Sequence, residues 1–258
     1  MHVIRRGLVP LGRLAFRTVN HALASGGLLL SIPESLHGSP RFSGATLWAR
    51  KLYQLRPFFR QVHGVQGDVV ESGVHWGYGV LAFLNLIEEA PPCRRIYGFD
   101  SFQGHSAPTP EDTAGDGHTE LFDSFRVSEG DVWKTLMLGT GLARTDLETR
   151  VELIPGWLQS TMPAFRSRSR VDGIRLALVH VDCDLYVPSK ATLEGVWDAL
   201  SPGGIVVLGA LHNPELMGKT RALEEFTARL ARRAYELRTE ALAGSGGLRA
   251  SHLRKLSD

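Results

Sequence analysis

Cysteine is scarce in this chain: only Cys93 and Cys183 occur among its 258 residues. Two cysteines without a CxxC pair can build neither a disulfide framework nor a cysteine-based zinc site. Few, unpaired cysteines are typical of proteins that work where thiols are kept reduced. The cysteine content therefore predicts a cytoplasmic protein.

An excess of charge of one sign is missing as well. Lys and Arg number 29 against 27 Asp and Glu, which leaves a formal charge of +2 at pH 7. The basic residues are spread along the chain and form no dense run, so nothing indicates a surface for nucleic acid. We expect a small-molecule substrate and no nucleic-acid partner.

Long apolar runs are absent too. The apolar-rich stretch 8–32 is interrupted by Arg13, Arg17, Asn20 and His21, whereas a membrane span needs about 20 consecutive apolar residues. We therefore expect no membrane-spanning helix. An amphipathic segment that packs on the domain, contacts a partner subunit or lies on a membrane surface fits this stretch, and packing or an oligomer contact is favoured.

What is present is an ordinary globular composition, with 43% hydrophobic and 22% charged residues. This composition and the length predict one large folded α/β domain. Helical spacing of apolar residues predicts a helix over 44–62. We divide the chain into an N-terminal helical segment, 1–63, which serves as a lid or an oligomer contact, and a ligand-binding domain, 64–258.

Strands and helices alternate through the second part of the chain. Strands are predicted at 68–73, 95–100, 151–154, 174–181 and 205–208. A long irregular loop, 101–119, precedes a helix predicted over 121–142 with an interruption at Gly130, and residues 235–255 predict a terminal β-hairpin. This alternation predicts a doubly wound, mostly parallel sheet that ends in an antiparallel hairpin.

The first predicted strand ends in a glycine turn, at the edge where open α/β sheets bind ligands. Glu71-Ser72-Gly73 closes the strand, and Gly77 and Gly79 follow. Glycine lets the backbone approach a ligand closely, but this spacing is not the G-x-G-x-x-G of dinucleotide-binding proteins. An acidic residue before the first glycine suits a cationic or amino-bearing ligand, which argues against a nicotinamide-dependent oxidoreductase. A tight turn without a ligand is the alternative.

Carboxylates follow two further strands. Asp100 ends the second strand, where a carboxylate can accept hydrogen bonds from both hydroxyls of a ribose; a helix cap or a solvated side chain is the alternative. Asp182 and Asp184 follow the most apolar strand, and strand alternation would put them on the same side. Carboxylates beside a core strand need a partner, a cation or a substrate, unless they cap the next helix.

Together these segments resemble the macrocin O-methyltransferase (TylF-like) family, which methylates sugar or related hydroxyls in secondary metabolites. The resemblance implies a class I methyltransferase fold, Rossmann-like with seven strands, together with S-adenosylmethionine, Mg²⁺ and frequently a homo-oligomer. The matching stretches are 67–74, 99–104, 156–157, 161–163, 182–186, 200–204 and 221–226. The cofactor-binding residues that it implies are Glu71, Ser72, Gly73, Gly77, Asp100, Ser101, Gly156, Trp157 and Asp182.

The chain departs from the family pattern at the implied metal site. In the family, the strand after the Pro-Gly-Gly turn ends in two adjacent acids, which hold Mg²⁺ together with the acid equivalent to Asp182. Gly209 and Ala210 stand at that place here. Mg²⁺ prefers six oxygen ligands including carboxylates, so the sequence predicts a weakened or lost metal site with Asp182 as its remaining ligand. Ser160 is a second departure, where the family commonly has Asp.

Methyl transfer to an alcohol needs a base that takes the hydroxyl proton, or a metal ion that lowers the pKa of the hydroxyl. The candidates for the base are Asp182, Asp184 and His212, since imidazole suits proton transfer near neutrality. The sequence thus predicts an S-adenosylmethionine-dependent O-methyltransferase of a small-molecule or sugar hydroxyl, with reduced or absent Mg²⁺ dependence.

Two alternatives remain open at this point. A non-catalytic relative, acting as a binding or partner subunit, would also explain the loss at Gly209-Ala210. N-methylation of an amine needs no strong base and fits as well. His75, His105 and His118 are predicted on loops of the same side, where imidazoles would support a softer metal than Mg²⁺.

Overall fold

The computed structural model describes residues 44–89, 92–112, 126–211, 217–241 and 249–257. The stretch 1–43, the later part of the loop 101–119, His118 and the candidate base His212 lie outside the described residues. The part Leu52–Asp258 clusters as one compact unit. The predicted division at residue 63 stays a prediction.

The described residues contain seven strands: β1 (Asp68–Ser72), β2 (Ile96–Asp100), β3 (Val151–Pro155), β4 (Leu176–Val181), β5 (Leu200–Leu211), β6 (Tyr235–Ala241) and β7 (Arg249–Lys255). They form one sheet in the order β3-β2-β1-β4-β5-β7-β6. Strands β1 to β5 pair in parallel, whereas β7 runs antiparallel to both β5 and β6. The predicted mostly parallel sheet with a C-terminal antiparallel hairpin is confirmed.

Helices fill the connections: α1 (Gly44–Gln61), α2 (Tyr78–Glu89), α3 (Glu129–Thr140), α4 (Arg144–Glu148), α5 (Leu158–Asp172), α6 (Tyr186–Val196) and α7 (Gly218–Arg229). The helix predicted over 44–62 is confirmed by α1. None of the helices in the described ranges has both the length and the apolar character that crossing a membrane requires.

Helix α3 begins at Glu129, whereas the sequence predicts a helix from residue 121; residues 126–128 are not helical, and residues 121–125 lie outside the described residues. The side chain of Ser128 accepts a hydrogen bond from the backbone N–H of Asp131 at 3.2 Å and caps the first turn, as Ser commonly does. Gly130 therefore lies inside the first turn and interrupts nothing. Gly141, with φ 72°, ends the helix in the left-handed conformation typical of a C-terminal glycine.

The core lies on both faces of the sheet. All six residues of β4 are buried, as expected for a parallel strand covered on two sides. Neighbouring residues of β2 meet different helices, because side chains alternate along a strand. Phe99 packs on Phe165 of α5 with ring centroids 5.1 Å apart, whereas a Cβ on Gly98 would contact Val80 of α2. The sheet is thus doubly wound.

Strand β5 also begins earlier than the predicted 205. Leu200 pairs with Leu176, and Ile205 pairs with Leu178, so the intervening Ser-Pro-Gly-Gly segment forms an irregularity within the strand pairing. Gly203 takes a φ of 83° there, which favours glycine. The Pro-Gly-Gly turn of the family pattern therefore lies within strand β5 and does not precede it.

Candidate functional site

Three loops meet at one edge of the sheet, because β2, β1 and β4 are neighbours and run in parallel. They follow Ser72, Asp100 and Val181, at the carboxyl ends of these strands. Such an edge is where open α/β sheets bind their ligands. The structure thus brings the three segments singled out in the sequence to one place.

The turn after β1 accepts only glycine at two positions. Gly73 has a φ of 90°, and a Cβ there would lie 2.9 Å from the backbone carbonyl carbon of Asp182. Gly77 has a φ of 82°, and a Cβ there would lie 2.9 Å from Cγ1 of Val132. The glycines therefore let this turn approach the loop after β4 and helix α3.

Asp100 connects the turn after β1 with the turn after β2. Its two carboxylate oxygens accept hydrogen bonds from the backbone N–H groups of His75 and Phe102, each at 2.8 Å. Both of these residues have positive φ, 49° and 55°, a conformation that costs energy in non-glycine residues and is often found at functional sites. Each carboxylate oxygen has a second lone pair, so Asp100 keeps acceptor capacity for a ligand.

Residues after β2 and β3 complete this part of the edge. The Ser101 hydroxyl donates to the carbonyl of Gly104 at 2.7 Å and accepts from the backbone N–H of Gln103 at 3.0 Å. Gly156, with φ 138°, donates its N–H to the carbonyl of Asp100 at 2.9 Å. Trp157 then leads directly into α5. The loops after β2 and β3 are therefore joined beside Asp100.

Glu71 and Ser72 lie beneath these loops. Glu71 is 1% exposed, and its Oε1 lies 3.4 Å from Nδ1 of the buried His180. The same carboxylate fills the space of an absent side chain at Gly79, where a Cβ would lie 1.8 Å from Oε1. It thus lies against the first turn of α2, where a negative charge is favoured by the helix dipole. Ser72 is fully buried, and its Oγ lies 3.7 Å from Sγ of Cys183.

Asp182 lies at the mouth of this arrangement. Its backbone N–H donates to the carbonyl of Ser72 at 2.9 Å, and its side chain is 29% exposed. Its Oδ1 lies 3.8 Å from Nε2 of His180. Ligand atoms of Glu71, His180 and Asp182 all lie within 4.8 Å of one another. Two carboxylates and one imidazole could hold a cation. Without a cation, Glu71 and His180 still contact each other, so neither buried side chain lacks a polar partner.

Asp184 has different surroundings, although only one residue separates it from Asp182. Its Oδ1 lies 3.4 Å from Nζ of Lys219, and its Oδ2 lies 3.8 Å from Nε2 of His105. Partial burial alone would raise the pKa of Asp184, but Lys219 and His105 outweigh this effect and hold that pKa well below its usual range. Strand alternation does not decide the orientation of these two side chains, because β4 ends at Val181.

The residues present do not fit the Mg²⁺ site that the family resemblance implies. Asp182 is the one acid of that set in the sequence. The carbonyl oxygen of Gly209, at one of the two substituted positions, accepts a hydrogen bond from Nζ of Lys219 at 3.0 Å. Asp184 contacts the same ammonium group, so these oxygens already face a positive charge.

Asp112 fixes the described part of the loop that follows β2. Its buried carboxylate accepts hydrogen bonds from the backbone N–H of Tyr186 at 2.6 Å and of Thr109 at 2.8 Å. A Cβ on Gly218 would lie 1.9 Å from its Oδ1. Asp112 thus joins the loop to the first turns of α6 and α7.

Sequence reasoning missed Lys219, His180 and Asp112. A lysine in a first helical turn and an aspartate in a polar loop have the pattern of solvated residues, and a histidine in an apolar strand has the pattern of a core residue. Each gains its partner from a segment distant in sequence. The clearest signal available was the need of Asp184 for a partner, and Lys219 meets that need.

The fold and this edge define a class I methyltransferase architecture, and solved structures agree. The chain is similar to the calicheamicin methyltransferase CalS11, with a TM-score of 0.65, 26% identity, and coverage of 93% of this chain and 91% of that one. An apo structure of CalS11 is described as a TDP-rhamnose 3'-O-methyltransferase, at 26% identity and a TM-score of 0.54, over 80% of this chain and 79% of that one. The O-methyltransferase NovP shares the fold, with a TM-score of 0.61 and 23% identity over 80% of each chain.

The chain belongs to the macrocin O-methyltransferase (TylF) family, whose model matches residues 35–231. It is 32% identical over 151 residues to 8-demethyl-8-(2,3-dimethoxy-alpha-L-rhamnosyl)-tetracenomycin-C 4'-O-methyltransferase of Streptomyces olivaceus, over 56% of this chain and 53% of that protein. It is 30% identical over 155 residues to mycinamicin III 3''-O-methyltransferase of Micromonospora griseorubida, over 56% of this chain and 55% of that protein. The chain thus spans about half the length of these curated relatives. The family resemblance is confirmed.

Proposed function

We propose that this chain is an S-adenosylmethionine-dependent O-methyltransferase that acts on a hydroxyl of a small molecule, of the sugar class, in secondary metabolism. Family membership supports the reaction, and rhamnose in the names of two relatives supports the acceptor class. The observation that carries the proposal is the contact of Asp182 with the glycine turn after β1. This contact makes a candidate proton acceptor adjacent to the candidate cofactor turn.

The cofactor site in this proposal is formed by the turns after β1, β2 and β3. Gly73 and Gly77 let the turn after β1 pack closely against the loop after β4 and helix α3, and Asp100 would accept hydrogen bonds from the ribose hydroxyls through its remaining lone pairs. Ser101, Gly156 and Trp157 border the same space. Glu71 and Ser72 act from beneath by holding the turn, since both are buried.

The chemistry divides between cofactor and protein. When bound, S-adenosylmethionine supplies an activated methyl group, which the acceptor oxygen takes as the carbon–sulfur bond breaks and its electron pair stays on sulfur. Asp182 accepts the proton of the acceptor hydroxyl, since its carboxylate is partly exposed beside the turn. General-base assistance of this kind contributes about 10²–10⁴-fold to a rate. Asp184, whose charge is engaged by Lys219 and His105, orders the loop, and His212 stays a candidate for the base.

The proposed activity can be tested with a panel of acceptors. Purified protein, S-adenosylmethionine and each acceptor would be incubated with excess EDTA, and products would be analysed by mass spectrometry. The panel contains nucleotide-linked deoxysugars, including TDP-rhamnose, and rhamnosylated polyketides, with the matching amino sugars as controls for N-methylation. We expect methylation of a sugar hydroxyl. Methylation of the amino sugars alone would contradict O-methylation, and binding of cofactor without any product would favour the non-catalytic alternative.

The cofactor assignment has its own test in Asp100→Ala. This variant loses a charged acceptor, so S-adenosylhomocysteine should bind more weakly by about 1–3 kcal/mol in titration calorimetry. Asp198→Ala is a matched control, because Asp198 pairs with Arg166 and Arg170 away from this edge. Unchanged affinity of a folded Asp100→Ala protein would remove Asp100 from the cofactor site.

We also propose that the protein works in the cytoplasm as a homo-oligomer, with the segment 1–63 as a lid or subunit contact. The scarcity of cysteine, with Cys93 and Cys183 not bonded to each other, supports the compartment, and the family resemblance supports the assembly. Light scattering of the full chain and of a chain lacking residues 1–43 would test the assembly. The same number of subunits per particle in both samples would exclude a subunit contact by residues 1–43.

A further inference from the structure

A positive charge is built into the edge of the sheet beside Asp184. Lys219, in the first turn of α7, is 3% exposed, and its Nζ lies 3.0 Å from the carbonyl oxygen of Gly209 and 3.4 Å from Oδ1 of Asp184. Lysine is almost never fully buried unless it is paired, and an uncompensated buried charge is strongly destabilising. The burial of Lys219 therefore depends on these two oxygens.

The oxygens around Lys219 are of the kind that a divalent cation would use. Carboxylate and backbone carbonyl oxygens are the ligands of hard cations such as Mg²⁺ and Ca²⁺. Here one ammonium group contacts both, at the carboxyl end of β5. A divalent ion at the same oxygens would be repelled by the ammonium, because like charges a few ångströms apart interact strongly away from bulk water.

Packing fixes the start of α7 and so the base of the lysine side chain. The residue before Lys219 is Gly218, and a Cβ there would lie 2.6 Å from the backbone nitrogen of Tyr186 and 1.9 Å from Oδ1 of Asp112. Asp112 in turn accepts the N–H of Tyr186. The first turns of α6 and α7 are thus held in close contact, which places the ammonium at the strand ends.

We propose that the Lys219 ammonium replaces a divalent cation in this protein: it neutralises Asp184, links the ends of β4 and β5, and prevents metal ions from binding there. Lys219 is then a positioning residue, which acts on the reaction through Asp184 and the loop after β4. This role in catalysis rests on the proposed methyltransferase function, whereas the exclusion of metal ions does not.

The exclusion of metal ions can be measured without any methyl transfer. Mn²⁺ binding would be followed by electron paramagnetic resonance in the wild type, in Gly209→Asp, and in Gly209→Asp combined with Lys219→Ala. A Cβ at Gly209 meets no atom of the described residues within 4 Å, so this position accepts a side chain. Lys190→Ala is the matched control, since Lys190 contacts Tyr186 on the outer part of α6.

We expect no Mn²⁺ at the Asp184 oxygens of the wild type, Lys190→Ala or Gly209→Asp, because Lys219 is present in each. Any Mn²⁺ held by the separate cluster of Glu71, His180 and Asp182 would remain bound in Asp184→Asn. The double variant should bind Mn²⁺ at least about tenfold more tightly than Gly209→Asp, which corresponds to about 1.4 kcal/mol. Tight binding by the wild type that is lost in Asp184→Asn would overturn the proposal. So would equal affinities in Gly209→Asp and the double variant, once circular dichroism shows both to be folded.

The positioning role needs a readout that separates it from a general loss of structure. Lys219→Met should lower kcat by about 10–100-fold, the usual effect of removing an outer contact of a functional group, while the dissociation constant of S-adenosylhomocysteine stays unchanged. Lys219→Arg should restore part of kcat by keeping the charge. Equal losses of kcat in the Met and Arg variants would contradict the role of charge. Failure of the wild type to bind S-adenosylhomocysteine would count against the methyltransferase function, and the Mn²⁺ result would still decide the exclusion of metal ions.

Discussion

Asp182 and Asp184 differ in their surroundings more than their positions in the sequence suggest. Asp182 follows β4 directly, touches the glycine turn after β1, and has His180 as its neighbour at 3.8 Å. Asp184 faces Lys219 and His105, both basic side chains. The first carboxylate is adjacent to the proposed cofactor site, and the second is neutralised by the protein. Two acids of one short motif can therefore have separate tasks, one chemical and one structural.

The largest expected effect is the loss of turnover in Asp182→Asn. An amide cannot accept the hydroxyl proton, so kcat should fall by about 10²–10⁴-fold, while the affinity for S-adenosylhomocysteine stays unchanged. The measurement is steady-state methyl transfer beside titration calorimetry. Asp184→Asn is the matched control, and its kcat should fall less. A larger loss in Asp184→Asn than in Asp182→Asn would reverse the assignment of the two carboxylates.

Asp184→Asn should have the larger effect on stability. It leaves the Lys219 ammonium without its carboxylate, and breaking a fully buried pair costs about 3–5 kcal/mol. Since the Asp184 side chain is 38% exposed, we expect a smaller loss of about 1–3 kcal/mol in the free energy of unfolding by urea. Adding Lys219→Met to Asp184→Asn should recover part of this loss. If the double variant recovered nothing, the unpaired Lys219 ammonium would not be the cause of the loss in unfolding free energy.

Gly79→Ala tests the close contact of the buried Glu71 carboxylate with the first turn of α2. A Cβ would lie 1.8 Å from Oε1 of Glu71, so the carboxylate or the first turn of α2 must shift, at a cost of about 1–3 kcal/mol. Gly130→Ala is the control, because among the described residues its Cβ would meet only Oγ of Ser128, at 3.8 Å. The two variants would be compared by thermal unfolding. Equal midpoints would contradict the close contact between Glu71 and Gly79.

The smallest expected effect is on how the free energy of unfolding changes with pH in the acid range. Lys219 and His105 lower the pKa of Asp184 in the folded protein from its ordinary value of 3.8. The stabilisation from this carboxylate is therefore complete above that value and is lost as the pH falls below it towards the lowered pKa. The wild type should lose stability faster than Asp184→Asn below about pH 4. Parallel profiles of the two proteins in this range would contradict the lowered pKa.

The sheet and the three strand-end segments could be predicted because they depend on local patterns. Apolar runs bounded by glycine and proline mark β1, β2 and β4, and Asp100 and Asp182 stand at their ends. The later start of α3 could not be predicted from apolar spacing alone, since the hydroxyl of Ser128 decides it. The different partners of Asp182 and Asp184 could not be predicted from strand alternation, because β4 ends at Val181.

The contact of the Lys219 ammonium with Asp184 could not be predicted from the sequence, for a different reason. Gly209-Ala210 shows that two acids are absent, but it does not show what takes up the charge of Asp184. Lys219 lies 35 residues further along the chain than Asp184, and its contact depends on the packing of α7 against β5. Long-range contacts of this kind carry no local signal. The same holds for Asp112, which joins the loop after β2 to Tyr186.

The proposed cofactor site works without a divalent metal. The most direct measurement is titration calorimetry of the wild type with S-adenosylhomocysteine, first in excess EDTA and then in excess Mg²⁺. We predict binding with the same dissociation constant in both conditions, because the proposed cofactor contacts are made by Asp100 and the turn after β1 and not by a metal ion. Binding that requires Mg²⁺ would contradict a metal-free cofactor site, and absence of binding in both conditions would contradict the methyltransferase function itself.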